Sequence, residues 1–280
     1  MRQTDMAFEW IIVDDGSSDN TKDLVTEWEK EGHIDIVYRY QPNQGKHIAI
    51  NTGIGLANGE LFFIVDSDDT LTVDAVAKVR LFWNSLDEVS HISGIISYRQ
   101  FVDGRLVGSK LPPEIKTCKL RDCRTRYGSD GDKVVIYRTD VFSRFRYPQF
   151  DGERFLGESY VFNQIDDLYE MAVMDDRIYN FDYQKDGLSQ DFRKLYRENP
   201  CGMRALMIQS LQYDTSFVPR LKTLSHVGCL SLYLHDTKTY ARVGSVARLL
   251  MSFPLAVALY FRIFILKASD VKPYLSSQDN

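Results

Sequence analysis

The chain has 280 residues, 44% hydrophobic and 26% charged, with a formal net charge of −5. This length can bury a sizeable core in one large domain, or in a domain with an appendage, and the composition excludes an intrinsically disordered chain. The acidic balance argues against a nucleic-acid binder, because phosphate-backbone affinity rests on clustered Lys and Arg.

Residues 1–9 are polar and lack an apolar core segment, so they do not read as a secretory signal. Phe8 to Val13 is a short apolar run rich in β-formers and predicts a buried strand, followed by turn residues Asp14 to Ser18. Ser18 or Asp19 then caps a helix with Leu24, Val25 and Trp28 on one face, which Gly32 ends. Ile34 to Tyr40 is the next strand. The loop Gln41 to Gly45 leads into a helix over about Lys46 to Ala57, stopped by Asn58-Gly59. A strand over Glu60 to Val65 follows, and Thr72 caps a helix carrying Val76, Val79, Phe82, Trp83 and Leu86. Alternating strands and helices imply an α/β fold, with a mostly parallel sheet and helices on both faces.

Beyond His91 the pattern is strand-like to Ser109, and Ile115 to Gly131 is a polar loop or short helices carrying Arg121, Arg124 and Arg126. Val134 to Tyr137 reads as a strand, Asp140 to Phe145 as a short helix, and Gly157 to Tyr169 as a helix with Glu158 in its first turn. The last third is helical. Cys118, Cys123, Cys201 and Cys229 show no CxxC spacing and no paired His ligands, so they read as four reduced thiols with neither zinc nor redox work.

Two acidic clusters stand where apolar runs end: Trp10-Ile-Ile-Val-Asp-Asp-Gly-Ser-Ser-Asp19 and Leu61-Phe-Phe-Ile-Val-Asp-Ser-Asp-Asp69. Ligands of open α/β sheets gather beyond the carboxyl ends of the strands, so both clusters point at one crevice. Taken alone, either also reads as a solvated turn, where Asp, Gly and Ser are favoured for backbone reasons. Asp66-Ser67-Asp68 offers oxygen ligands to a hard cation, Mn²⁺ or Mg²⁺, of the kind a nucleotide pyrophosphate needs. An EF-hand loop starting at Asp66 is excluded, since it requires Gly and Glu where Leu71 and Ala77 stand. A dinucleotide fingerprint at Gly53-Ile-Gly55 fails for want of a third Gly and a preceding strand.

Val13-Asp-Asp-Gly-Ser-Ser-Asp19, Asn43-Gln-Gly-Lys46 and Asp66-Ser-Asp-Asp69 resemble the family 2 glycosyltransferases of the GT-A fold, over roughly the first 190 residues. The resemblance implies a GT-A-like domain over 1–190 and a helical C-terminal extension over 191–280. It implies a metal-dependent, inverting transfer of a sugar from a nucleotide-diphospho-sugar, a UDP-sugar, to a hydroxyl of a saccharide or lipid-linked acceptor. Asp14 and Asp15 would bind the donor, with Asp15 on the base; Asp66 would lie near ribose or metal, and Asp68 would hold the metal bridging the diphosphate. The acidic motif that supplies the base matches Phe155-Leu-Gly-Glu-Ser159, which makes Glu158 the candidate and Glu153 its nearest rival. A Glu there also stabilises a helix start, by about 0.3–1 kcal/mol. Lys46 and Arg126 are cations suited to the diphosphate. Tyr183 to Ser189 resembles a segment that closes over the site, and the five histidines form no metal pattern.

The resemblance also implies an apolar strand and helix ahead of Phe8, so the upstream coding region, read in frame, is expected to encode a Val/Ile-rich strand. Leu249 to Phe261 carries no charge but is too short to span a bilayer and contains Pro254. With Arg242, Arg248, Arg262 and Lys267 around it, residues 245–267 are expected to make peripheral membrane contact or to pack as a buried helix. The expected location is the cytoplasm, at the inner face of the cell membrane. A catalytically impaired remnant acting as a nucleotide-sugar-binding or partner subunit is the alternative function. A nucleotidyltransferase would want a Gly-rich phosphate loop, which the sequence lacks.

Overall fold

The structure, a computed structural model, describes residues 2–181, 192–213 and 216–266. The chain divides into two compact units, residues 1–148 with 158–185 and residues 149–157 with 186–280. The short stretch 149–157, which the sequence analysis assigns to the first domain, belongs to the second unit.

The first unit opens with β1 (Glu9–Asp15), α1 (Thr21–Glu31), β2 (Asp35–Gln41) and α2 (Lys46–Leu56). The residue ahead of α1 is Asn20, which makes no side-chain capping bond, rather than the expected Ser18 or Asp19; Asp19 instead accepts from the Thr21 N–H and hydroxyl, and Gly32 ends the helix in the left-handed conformation as expected. β1 and β2 pair in parallel from Glu9/Asp35 to Asp15/Gln41, so Asp14 and Asp15 stand at the carboxyl end of this two-stranded sheet. Next come β3 (Leu61–Phe63), β4 (Thr70–Leu71), α3 (Ala75–Asn84), β5 (Ile92–Phe101), β6 (Thr117–Cys118), α4 (Asp122–Thr125), β7 (Lys133–Arg138), α5 (Thr139–Phe142), α6 (Ser159–Leu168) and β8 (Glu170–Phe181).

A six-stranded sheet runs β3-β7-β5-β8-β4, with β6 also on β8. The expectation of a mostly parallel sheet is corrected here. Only the β1/β2 and β5/β8 ladders are parallel among the described residues, and the other four are antiparallel. The α/β architecture itself stands. The strand expected over Glu60 to Val65 pairs only through Leu61–Phe63, and the first residue before α3 is Asp74 rather than Thr72. Thr72 instead donates its N–H to Ile178 and its hydroxyl to Asp74, because the chain here is drawn into β4. β8 has no counterpart in the sequence analysis, yet it is the sheet's longest strand.

The core draws on near-continuous apolar runs, β5 being buried from Ile92 to Tyr98. Ile92, Ile95, Val134, Ile136, Met174 and Ile178 of β5, β7 and β8 bury with Val79 and Trp83 of α3. Each such side chain stabilises by about 1.5–3 kcal/mol when fully buried. Gly94 permits the β5/β7 approach: a Cβ there would stand 1.9 Å from the Ile136 carbonyl oxygen.

The second unit contains α7 (Phe192–Glu198), α8 (Pro200–Ser210), α9 (Phe217–Tyr233), α10 (Thr237–Arg242), α11 (Val246–Tyr260) and a π-helical turn (Phe261–Ile265). Pro200 occupies the first turn of α8, where its missing N–H costs nothing. Glu153 accepts from the Cys201 and Gly202 N–H groups there, so this rival for the base has a helix-capping job. Gly228 of α9 lets α11 approach, since a Cβ on it would lie 2.7 Å from the Ala256 Cβ. Pro254 does not end α11, and with the π-helical turn the helix runs unbroken over Val246–Ile265, 20 residues of mean hydropathy 1.6. That corrects the expectation that the segment is too short: by length and composition it could cross a membrane. Ser252, Ala256 and Ile263 are buried, whereas Leu250, Met251, Phe253 and Leu255 are exposed.

Candidate active site

The two acidic motifs do meet. Asp15 from the end of β1 and Asp66, Ser67 and Asp69 from beyond β3 line one cavity of about 1240 Å³, together with Lys46 at the start of α2. Lys46 and Asp66 also line a second cavity, of about 540 Å³, with Arg99, Arg121, Arg124, Lys133 and Glu158. Lys46 and Asp66 are thus the hinge between the two spaces.

The first motif is held by its own loop. Asp14 is buried and accepts from the Tyr38 hydroxyl at 2.5 Å and the Ser17 N–H at 2.7 Å. Burial works against its charge, but these hydrogen bonds outweigh it and hold the carboxyl below the usual carboxylate range. Asp15 accepts from Gln41 Nε2 at 2.7 Å and from the Gln44 and Gly45 N–H groups at 2.9 and 2.7 Å. It therefore ties the first motif to Asn43-Gln-Gly-Lys46 and fixes the start of α2. Gly16, at φ 85, is needed because a Cβ would stand 2.7 Å from the Asn43 nitrogen.

Lys46 is the focal cation. Its Nζ ion-pairs with Asp66 and lies 2.7 Å from Glu158 Oε1. Burial opposes its charge, yet the Glu158 and Asp66 carboxylates prevail and hold the ammonium above its ordinary value. Glu158 is the residue ahead of α6, and its own carbonyl accepts from the Tyr147 hydroxyl and the Val161 and Phe162 N–H groups. Those bonds anchor its backbone while the carboxylate faces Lys46.

Sequence reasoning missed the layer beneath. The Arg99 guanidinium of β5 lies 4.6 Å over the Tyr179 ring, 4.0 Å from Asp66 and 3.8 Å from Asp69. Tyr179 of β8 accepts the Asp66 N–H at 3.0 Å, and burial pushes its hydroxyl well above the usual range. An isolated Arg on a strand carries no local signal; only the β5/β8 pairing, with Arg99 opposite Tyr179, brings it beneath the acidic turn.

Asp68 stands apart: it is exposed and lines neither cavity. Among the described residues no group of three His, Cys, Asp or Glu side chains could hold a metal ion. Carboxylate oxygens suit a hard divalent cation. Lys46 and Arg99 already pair with Asp66 and Asp69, which leaves Asp68 as the carboxylate of this turn with no ion pair among the described residues. Arg126 is not in either cavity wall; its guanidinium lies 5.4 Å from the Tyr127 ring, and Arg121 and Arg124 are the cations of that segment in the smaller cavity. Tyr183 to Ser189 lies outside the described residues.

Parallel β1/β2 strands with carboxylates at their tips, and a mixed sheet delivering a second acidic turn to the same cavity, define the GT-A class of glycosyltransferase folds. Solved structures agree. The S. aureus TarS 1-349 complex with UDP-GlcNAc matches with TM-score 0.57 at 18% identity, covering 94% of this chain and 74% of that one. The same protein in complex with UDP matches with TM-score 0.54 at 18% identity, covering 88% and 69%. At that identity the likeness establishes the fold. Residues 1–105 match the family model described as Glycosyl transferase family 2. An uncharacterized glycosyltransferase of Nostoc sp. is 31% identical over 104 residues, 37% of this chain and 31% of the relative. The dolichyl-phosphate beta-glucosyltransferase ALG5C of Trichomonas vaginalis is 29% identical over 109 residues, 39% of this chain and 32% of the relative. The chain spans about a third of the length of these two curated relatives.

Proposed function

We propose that this protein is a metal-dependent, inverting glycosyltransferase that moves a sugar from a UDP-sugar to a hydroxyl of a saccharide or lipid-linked acceptor in polysaccharide or glycolipid assembly. The observation that carries the reading is Lys46 between Asp66 and Glu158, where the two cavities meet. Five cationic side chains, Lys46, Arg99, Arg121, Arg124 and Lys133, face Asp66, Asp132 and Glu158 in the smaller cavity, a balance that suits a diphosphate. The likeness to a structure solved with UDP-GlcNAc supports the donor class, and the name of the dolichyl-phosphate beta-glucosyltransferase relative supports a lipid-linked acceptor.

In this reading the Glu158 carboxylate takes the acceptor hydroxyl proton as its oxygen attacks the anomeric carbon from the face opposite the diphosphate. Lys46 stabilises the negative charge that develops on the departing diphosphate, and Arg99 keeps Asp66 and Asp69 in register beneath it. Asp14 and Asp15 present the donor-binding turn, with Asp15 toward the base. Asp68 and Asp66 would hold Mn²⁺ or Mg²⁺, which would supply Lewis-acid assistance to the leaving group. The exposed apolar side of α11, flanked by Arg248 and Arg262, supports peripheral contact with the cytoplasmic face of a membrane.

A second reading, a nucleotide-sugar-binding or partner subunit without turnover, is favoured by one observation. Among the described residues β1 pairs only with β2 and β3 only with β7, and residues of both β1 and β3 line the larger cavity. Hydrolysis of a panel of nucleotide sugars with Mn²⁺, comparing the wild type with Asp68→Ala, separates the readings. Turnover of one UDP-sugar that Asp68→Ala loses is the expected result. Equal activity in both proteins ends the metal assignment, and Mn²⁺-dependent UDP binding without turnover favours the second reading.

A further inference from the structure

Four residues lie between Cys118 and Cys123, a spacing that suggests no known redox motif, but the fold brings their sulfur atoms to 3.8 Å. Cys118 ends β6 and Cys123 sits in α4, and a tight turn returns the chain between them, with the Asp122 and Cys123 N–H groups donating to Lys119 and Leu120. Both residues are 3% exposed, and Cys123 lines the cavity of about 540 Å³ whereas Cys118 does not. No third thiol, imidazole or carboxylate completes a metal set among the described residues. The pair is therefore suited to dithiol chemistry and not to zinc, which takes four ligands.

We propose that Cys118 and Cys123 form a modification site for peroxide-class oxidants, with Cys123 as the attacking thiol and Cys118 as the resolving thiol. The chemistry balances in two steps. The Cys123 thiolate attacks one peroxide oxygen; an S–O bond forms, the O–O bond breaks, and hydroxide leaves and takes up a proton. The Cys118 sulfur then attacks the sulfenic sulfur; an S–S bond forms, the S–O bond breaks, and the second water departs with the Cys118 proton. Two thiols and one hydrogen peroxide become one disulfide and two waters.

The assignment of roles rests on the surroundings. Cys123 is the one that opens on the cavity, and Lys133 lines the same wall. The Cys118 thiol beside it, aided by the Lys133 ammonium, holds the Cys123 thiol below its ordinary value against the effect of burial. Cys118 is driven the opposite way, chiefly by its hydrogen bond to Cys123 and by burial, as a resolving thiol can be. Closing the bond draws the sulfurs from 3.8 Å to about 2.05 Å. That movement pulls on Leu120 and Arg121, whose N–H groups hold the Asp166 carboxylate.

The test is peptide mapping of the folded, full chain after one equivalent of hydrogen peroxide. Trypsin places Cys118 in Thr117–Lys119 and Cys123 in Asp122–Arg124, so an intramolecular bond appears as these two peptides linked. The expected result is that linked pair, lighter by two hydrogens than its separate members, with free thiols falling from four to two and returning with dithiothreitol. In Cys118→Ser, Cys123 is expected to carry a sulfenic acid trapped by dimedone. The site is overturned if wild-type protein that keeps its near-UV dichroism gives Cys123 unmodified, or oxidised to sulfinic acid with Cys118 still free. It is equally overturned if Cys123 pairs with Cys201 or Cys229 instead.

Discussion

Lys46 Nζ and Glu158 Oε1 lie 2.7 Å apart, joining the first turn of α2 to the start of α6 across about 110 residues of sequence. The pair sets a carboxylate and a cation side by side, as the proposed reaction, with a proton acceptor next to a diphosphate ligand, would need.

Removing the acceptor should affect chemistry more than binding. Glu158→Gln keeps the shape and the backbone anchors from Tyr147, Val161 and Phe162. Transfer should fall by about 10²–10⁴-fold, the usual worth of a positioned base. UDP affinity by calorimetry should stay within about twofold, since the base makes no ground-state contact with UDP in this reading. A parallel loss of UDP binding would assign Glu158 to the donor instead.

Lys46→Met should show the reverse pattern. The ion pairs it makes are half-exposed and contribute about 0–1 kcal/mol to stability, so the melting temperature should move little. UDP affinity should fall about tenfold, equivalent to about 1.4 kcal/mol. Unchanged affinity would remove Lys46 from the diphosphate site.

Asp166 should impose a pH dependence on stability. Burial raises its carboxyl from 3.8 to about 6, against the N–H bonds from Arg121 and Leu120 that favour the charge. A folded value above the unfolded one means the native state holds the proton more tightly. Its stabilisation is therefore complete below about pH 3.8 and is lost as pH rises through about 6. The difference corresponds to about 3 kcal/mol. Urea midpoints from pH 4 to 8 should show the wild type losing stability relative to Asp166→Asn over that interval; a constant difference would refute it.

Two glycines give opposite outcomes. Gly94→Ala forces a Cβ to 1.9 Å from the Ile136 carbonyl in the middle of the sheet, so thermal unfolding should show a loss of about 3 kcal/mol or more. Gly55→Ala, inside α2 with nothing within 4 Å of its Cβ, should gain about 0.5–1 kcal/mol. A mild effect at Gly94 would mean β5 and β7 pair differently.

The outer side of α11 should decide membrane association. Leu250 and Phe253 are 69% and 45% exposed, so replacing both with Glu should leave the melting temperature nearly unchanged. Co-sedimentation with anionic lipid vesicles should fall several-fold, and binding by the wild type should weaken with salt because Arg248 and Arg262 flank the patch. No vesicle binding by the wild type would end the membrane proposal.

The sequence alone determined the units whose signals are local. Strand-then-turn order around Asp14-Asp15 and Asp66-Asp69, the Gly32 stop of α1, and the Gly45 entry to α2 are written within a few residues each, and the structure bears them out. Tertiary structure decided whatever depends on strand partners distant in sequence. β8 was illegible because Asp175-Asp176 interrupts its apolar pattern and its ladder with β5 shifts register. Arg99 and Tyr179 acquire their place under the acidic turn only through that ladder, and residues 149–157 join the second unit through Glu153 at α8. Cys118 and Cys123 meet because β6 pairs with β8 and the chain doubles back into α4. The physical reason is one of range: caps and turns are fixed by hydrogen bonds between near neighbours, whereas a site assembled across a mixed sheet depends on pairings that no local pattern encodes.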